Sequence, residues 1–132
     1  MGMERLPQLD ARTATTKVGD NAYAVAVTGE LDLYSVPLLV AELEALAPDG
    51  PDVVIDLTAV TFVDSTGLGA ILLNARRLRD AGGAMALVCS SPTTRKLLEL
   101  VGVDRVVPVY ETTDRALEHL VGRVVLRKLE QQ

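Results

Sequence analysis

The sequence is poor in the residues that most metal and redox sites use. Among its 132 residues there is one cysteine, Cys89, and one histidine, His119. A single cysteine cannot form an internal disulfide, and with one histidine it cannot supply the four ligands of a structural zinc site. The carboxylates do not follow the spacing of a calcium-binding loop. The sequence therefore predicts neither a metal centre nor a disulfide framework.

Long apolar runs, positive charge and aromatic residues are also scarce. No stretch approaches the roughly 18 consecutive apolar residues of a membrane span, and the N-terminus lacks a signal-peptide pattern. The formal net charge of −5 disfavours nucleic acid and anionic lipid as partners, and the 3% aromatic content leaves few stacking platforms for bases. We expect a cytoplasmic protein, without membrane insertion or a nucleic-acid partner, that docks to a basic protein surface.

The sequence contains none of the common catalytic or phosphate-binding motifs. Neither a Gly-x-x-x-x-Gly-Lys-Ser/Thr loop nor a Gly-x-Gly-x-x-Gly fingerprint occurs. Gly-x-Ser-x-Gly is absent as well, because Val63 and Asp64 precede Ser65. His119 lies far along the chain, on a predicted final helix, where we expect it to be partly exposed. We predict a protein that is not an enzyme and has no cofactor.

Strand and helix patterns alternate along the chain after a predicted N-terminal hairpin. Alternation of this kind predicts an α/β fold with a mixed, mostly parallel sheet of about five strands and about four helices. Pro108 interrupts the last strand and places it at an edge of the sheet. The predicted strands are residues 9–18, 23–28, 53–57, 84–88 and 106–110, and the predicted helices begin at Ser35, Asp64, Ser91 and Thr112 or Thr113.

Apolar stripes and capping residues define three of these helices. Ser35 is expected to cap the first helix, with Pro37 in its first turn, where a missing N–H has no cost. The second helix presents one apolar face that includes Leu68 and Ile71. The stripe of the last helix is expected to be core, while its extension to Leu126 and Leu129 is equally compatible with a weak homodimer and with a frayed, solvent-facing helix end. That stripe consists of Leu117, Leu120, Val121, Val124 and Val125.

Asp56 is the one charged residue inside an otherwise apolar strand. It is either a buried polar group that has a partner elsewhere, or a residue at the edge of the sheet whose side chain caps a neighbouring turn. We favour the second interpretation.

Small and polar residues gather at residues 62–69, between uniformly apolar flanks. They follow a strand and open a helix, the position where α/β sheets place functional groups and where free N–H groups favour negative charge. Asp64 or Ser65 could simply be the N-cap of this helix. Gly67 and Gly69, however, exceed what a cap requires, and they would let the backbone of another protein approach closely.

Two short motifs of the sequence, at residues 28–32 and 64–69, resemble those of a known family. Asp-Ser-Thr-Gly-Leu-Gly at residues 64–69, with Thr-Gly-Glu-Leu-Asp at residues 28–32, is similar to the STAS domain of bacterial anti-sigma factor antagonists. The resemblance covers about residues 10–125. Residues 1–8 are mixed in character and interrupted by proline, so we expect a flexible leader there, followed by a STAS domain at 9–128 and a tail at 129–132.

In this family an anti-sigma factor that is also a GHKL-type serine kinase phosphorylates the serine after the motif aspartate. The unphosphorylated antagonist binds that kinase and releases a sigma factor, and a serine phosphatase is a further expected partner. The resemblance therefore implies Ser65 as the phosphorylation site. It implies a partner-binding surface of six residues: Glu30, Asp32, Asp64, Thr66, Gly67 and Leu68. Alternatives are a STAS accessory subunit of a membrane transport complex and, more remotely, a nucleotide-sensing module.

Overall fold

Five strands, four α-helices and two short 3-10 helices (Ala47–Asp49 and Val103–Arg105) make up the part of the chain that the computed structural model describes, residues 11–131 without the side chain of Arg127. The predicted leader at residues 1–8 and the first residues of the predicted domain lie outside this range. The strands are β1 (Arg12–Gly19), β2 (Ala22–Leu31), β3 (Asp52–Val63), β4 (Ala84–Val88) and β5 (Val109–Tyr110). The helices are α1 (Val36–Leu46), α2 (Ser65–Asp80), α3 (Pro92–Leu100) and α4 (Thr113–Glu130).

The strands form one sheet in the order β1-β2-β3-β4-β5. β1 and β2 pair antiparallel as a hairpin, and the pairs β2–β3, β3–β4 and β4–β5 are parallel. This confirms the predicted α/β fold with its mixed, mostly parallel sheet and four helices. β5 is a short edge strand that begins after Pro108, as the sequence predicts.

Each face of the sheet carries its own apolar core, because successive strand residues point to opposite faces. One face packs against α1, α2 and α3 through a large cluster that includes Leu39, Ile55 and Ile71. The opposite face packs against α4 through a smaller cluster, which consists of Val54, Ala86, Val88, Ala116 and Leu120. The helix that begins with Ser65 and the C-terminal helix therefore lie on opposite sides of the sheet.

β3 is longer than the predicted strand at residues 53–57, because two bulges carry it past the polar residues. Its pairing with β2 shifts once between Asp56 and Ala59 and again between Val60 and Phe62. The Asp56 carboxylate accepts a hydrogen bond from the Thr58 backbone N–H (2.9 Å) and a second from the Thr58 hydroxyl. Because β3 is the central strand, the expectation that Asp56 lies at a sheet edge is wrong; its partner is local.

α4 differs from its predicted stripe. Leu120 is buried and Leu117 is half-buried, but Val121 and Val125 are exposed, so the prediction that both belong to the core is wrong. Thr112 caps the helix, accepting a hydrogen bond from the Arg115 N–H at 3.2 Å. His119 is exposed, and its ring centroid lies 5.7 Å from that of Tyr110 on β5.

An ion pair connects α4 to the first residue of β3. Arg123 donates to the Asp52 carboxylate at 2.9 Å, and the Asp52 side chain is only 5% exposed while that of Arg123 is 32% exposed. Removing one member of a buried pair commonly costs about 3–5 kcal/mol. Because water can reach Arg123, we expect Arg123→Met to lower the free energy of unfolding by about 2 kcal/mol.

Urea denaturation followed by circular dichroism measures this loss. Arg105→Met, which removes an exposed arginine from the loop before β5, is the matched control and should leave the free energy of unfolding within about 0.5 kcal/mol of wild type. Equal losses in both variants would contradict a specific role for the pair.

Within residues 11–131, no helix has the length and apolar character needed to cross a membrane.

Candidate functional site

The candidate site lies at the carboxyl ends of two neighbouring parallel strands, β2 and β3. Glu30 pairs with Phe62 and Leu31 with Val63 in the strand register. The backbone N–H of Asp64 then donates to the Leu31 carbonyl at 3.1 Å. The two sequence motifs, residues 28–32 and 64–69, are therefore brought together at one edge of the sheet.

Asp64 is the N-cap of α2. Its backbone is extended (φ −100°, ψ −176°), and its carboxylate accepts a hydrogen bond from the Gly67 N–H at 2.9 Å. This arrangement satisfies one of the N–H groups that the first turn leaves without an intrahelical acceptor. Of the two candidates for the cap, the structure thus selects Asp64.

Ser65 is the first residue of α2 and is exposed. Its hydroxyl makes no hydrogen bond with any residue in the described part of the chain. Thr66, the next hydroxyl, is only half-exposed. Ser65 therefore presents an unengaged hydroxyl to solvent at a helix N-terminus, while its neighbour Asp64 holds the turn in place.

The two residues that follow Thr66 in the motif point into the domain. Gly67 is buried, and a Cβ atom at this position would lie 2.7 Å from the Leu31 carbonyl oxygen and 3.0 Å from a Val63 methyl group. Real Cβ atoms essentially never approach backbone oxygen so closely, so β2 and α2 can be this near only with glycine here. Leu68 is also buried, in the main core. Gly67 and Leu68 are thus positioned to support the site from within.

Gly69 differs from Gly67. It is exposed, and a Cβ atom there would have no heavy atom within 4 Å. Positions four apart share one face of a helix, so Ser65, Gly69 and the exposed Leu73 form a single line along α2. The fold itself gives no steric reason for glycine at position 69.

Asp32 and Ser35 build the turn that leads from β2 into α1. The Asp32 carboxylate accepts hydrogen bonds from the backbone N–H groups of Tyr34 and Ser35, both at 3.0 Å. The Ser35 hydroxyl donates to the Glu30 carbonyl and accepts from the Asp32 N–H. Ser35 is the N-cap residue of α1 and Pro37 lies in its first turn, as predicted, but the Ser35 hydroxyl is engaged by this turn and makes no capping hydrogen bond.

This turn and the end of β3 display apolar side chains that the sequence analysis did not single out. Leu33 is 61% exposed, Tyr34 is 67% exposed, and Phe62, the only phenylalanine, is 52% exposed. All three lie at the edge of the sheet where Asp64 meets Leu31. We call Leu33, Tyr34, Phe62, Ser65, Gly69 and Leu73 the Ser65 surface. Ser65 and Gly69 belong to the second motif, whereas the only sequence signal of Leu33, Tyr34, Phe62 and Leu73 is their position near one of the two motifs.

The charged residues that the sequence places nearest to Ser65 are acidic. The sequence holds no lysine or arginine between Lys17 and Arg76, whereas Glu30, Asp32 and Asp64 all fall within that stretch. A surface with exposed apolar groups and surrounding carboxylates complements a partner that is apolar at its centre and basic at its rim.

Other groups in the described chain offer no competing chemistry. Cys89 is buried at the end of β4, and burial raises the pKa of its thiol, which keeps it protonated at neutral pH. Among residues 11–131, no group of three or more histidine, cysteine or carboxylate side chains could hold a metal ion.

Comparison with known proteins identifies a domain family and several similar proteins. Residues 13–116 match the family model described as the STAS domain. The anti-sigma-B factor antagonist of Bacillus subtilis is 32% identical over 93 residues, which cover 70% of this chain and 85% of that protein. The anti-sigma-B factor antagonist of Staphylococcus aureus is 33% identical over 100 residues, 75% of this chain and 93% of that protein.

A solved structure shares the fold at a similar identity. The crystal structure of an anti-sigma factor antagonist from Mycobacterium paratuberculosis superimposes with a TM-score of 0.77 at 33% identity. The match covers 87% of this chain and 97% of that one.

Proposed function

Because the chain belongs to the STAS domain family, we propose that it is an anti-sigma factor antagonist whose activity is switched by phosphorylation of Ser65. In this proposal the unphosphorylated chain binds an anti-sigma factor that is also a GHKL-type serine kinase, and binding frees a sigma factor in the cytoplasm. Phosphorylated Ser65 no longer fits the partner, and a serine phosphatase restores the active form.

One observation carries the assignment of Ser65: its hydroxyl is exposed and unengaged at the first position of α2. A kinase must bring the γ-phosphate of ATP in line with the attacking oxygen, which requires a hydroxyl that it can reach from outside. The half-exposed Thr66 meets this requirement less well.

The residues around Ser65 indicate which groups this chain would supply for phosphorylation and which the kinase would supply. The Asp64 carboxylate already accepts the Gly67 N–H at 2.9 Å, so it is held as a helix cap rather than as a base for the serine proton. The kinase would supply ATP and the base that takes this proton, and the chain would supply the acceptor oxygen. The exposed apolar and acidic residues beside Ser65 support docking of a basic partner at the same place.

The proposal is tested by recovering the kinase and locating the phosphate. Ser65→Ala should retain an anti-sigma factor of the GHKL type from extract of its own organism more persistently than wild type, because the release step is removed. With the recovered kinase and ATP, the wild-type chain should gain one phosphate on Ser65, located by peptide mass spectrometry, and Thr66→Ala should still be modified.

Two results would overturn the proposal. A phosphate on a residue other than Ser65, or undiminished phosphate incorporation in Ser65→Ala, would refute the assignment of Ser65 as the phosphorylation site. Recovery of a transporter ATPase with both wild type and Ser65→Ala, and of no kinase, would favour the transport-complex alternative.

A further inference from the structure

The C-terminal half of α4 exposes an apolar surface that the fold does not use. Val121, Val125, Leu126 and Leu129 are 62%, 50%, 61% and 58% exposed. The buried side of the same helix already packs on the sheet through Ala116 and Leu120. Monomeric proteins rarely leave several large aliphatic side chains contiguous and exposed, and such patches commonly mark an interface.

This surface is separate from the Ser65 surface. α4 covers the face of the sheet opposite to α1, α2 and α3. The four exposed residues also lie beyond residue 116, where the match to the family model ends. An interaction here would leave Ser65 accessible to a kinase.

Eight of the exposed positions form two lines along α4, because helix positions three, four or seven apart share a face, and Leu129 lies between the lines. The first line contains Glu118, Val121, Val125 and Lys128, and the second contains Arg115, Gly122, Leu126 and Glu130. Each line begins and ends with opposite charges, and the order of the signs is reversed between the two lines. The midpoints of both charge pairs fall at residues 122–123.

We propose that α4 is a homodimer interface, in which two copies of this chain pack their α4 helices antiparallel about Gly122. In this register Glu118 lies opposite Lys128 of the second copy and Arg115 opposite its Glu130, and two-fold symmetry repeats both pairs. Val121 meets Val125 between them. A parallel two-fold arrangement would instead set each line against the other line, which leaves the opposite charges offset by two to three residues along the helix.

Gly122 suits the crossing point. It is exposed, and a Cβ atom at this position would have no heavy atom within 4 Å, so its own domain does not require glycine. Without a side chain, the two helix backbones can approach closely where they cross.

The dimer should be weak. Stable protein interfaces bury about 1,200–2,000 Å² in total, and one exposed face of half a helix on each copy offers less. We expect a dissociation constant in the micromolar to millimolar range, and because the charge pairs are at the rim, the dimer should weaken as salt is added.

Sedimentation equilibrium of the full chain, from micromolar to near-millimolar concentration, tests the proposal. Val125→Glu should abolish the dimer, since it sets carboxylates against the apolar seam. Glu118→Lys should raise the dissociation constant about tenfold by opposing Lys128, and Lys128→Glu should do the same. The double variant, Glu118→Lys with Lys128→Glu, should return to within about threefold of wild type.

Glu99→Lys, on α3, makes the same charge change away from α4 and is the matched control. Melting temperatures of all variants should stay close to wild type, which separates loss of association from unfolding. A chain that is monomeric at every concentration would overturn the proposal. If that monomer also bound phosphatidylglycerol vesicles, the exposed face of α4 would be a lipid-binding surface instead. A dimer that Val125→Glu leaves intact, or a double variant no better than either single one, would also overturn the proposal.

Discussion

Replacing Ser65 with aspartate is expected to weaken binding of the anti-sigma factor about a hundredfold or more while leaving the melting temperature nearly unchanged. The change puts a negative charge where the proposed partner meets an unengaged hydroxyl. Burying a charge that has no prepared partner costs several kcal/mol, and each 1.4 kcal/mol is tenfold in affinity. The phosphate itself, with a charge of about −1.5 to −2, should have the larger effect.

The domain's own stability should barely respond, for two reasons. The Ser65 hydroxyl makes no hydrogen bond in the described chain, so its replacement breaks no internal contact. The helix N-terminus favours a nearby negative charge by about 0.3–1 kcal/mol, and repulsion from the adjacent Asp64 offsets part of that gain. The proposed switch should therefore act on the interface rather than on the fold.

Isothermal titration with the recovered kinase measures the loss, and amide chemical shifts report on the fold. Ser90→Asp adds the same charge at an exposed serine before α3 and should bind like wild type. If phosphorylation instead shifted amides far beyond residues 64–70, the switch would be conformational and this account would fail.

Replacing Gly67 with alanine is expected to lower the free energy of unfolding by about 2–4 kcal/mol. The new Cβ would lie 2.7 Å from the Leu31 carbonyl oxygen, which belongs to the backbone of β2 and cannot rotate away. Relief requires α2 to move from the sheet, and this would also strain the hydrogen bond between Asp64 and Leu31. Loss of stability and loss of partner binding should therefore appear together.

Gly69→Ala is the matched variant, since it adds the same methyl group to the same helix where nothing lies within 4 Å. Alanine is the better helix former by about 1 kcal/mol, so this variant should be as stable as wild type or slightly more so. If a partner backbone does approach Gly69, the variant should bind less tightly despite its stability. Equal decreases in the melting temperatures of Gly67→Ala and Gly69→Ala would contradict the steric explanation for Gly67.

The order of elements was predictable because apolar periodicity and turn residues agree along most of the chain. β4 matches its predicted bounds, residues 84–88. β3 does not, because Asp56 and Thr58 read as the end of a strand, whereas hydrogen bonding between them holds a bulge from which the strand continues to Val63. A bulge depends on pairing with a neighbour, and a single strand's pattern does not contain it.

The faces of α4 illustrate a second limit of periodicity. Apolar residues occupy nearly every direction around its C-terminal half, so the pattern cannot say which of them meet the sheet. Ala116 and Leu120 do, while Val121 and Val125 do not. Leu33, Tyr34 and Phe62 gave no functional signal in the sequence, because large apolar residues are assigned to the core by default.

At the candidate site, the sequence indicated the place but not how its residues divide the roles. Asp64 and Ser65 are adjacent and both are common N-cap residues. Only the extended backbone of Asp64 and its bond to the Gly67 N–H decide that the aspartate caps the helix and the serine remains free.

The lysine- and arginine-free stretch around Ser65 also determines which proteases can report on the site. Trypsin cleaves after lysine or arginine, so it releases residues 18–76 as one long fragment and finds no cleavage site among the two motifs. A protease that cuts before aspartate would instead release residues 64–79, in which Ser65 and Thr66 are the only hydroxyl-bearing side chains. The rate of trypsin cleavage within the two motifs therefore cannot report a bound partner. The rate of cleavage before Asp64 would fall when a partner covers the Ser65 surface, and the mass of the released fragment would show whether it carries a phosphate.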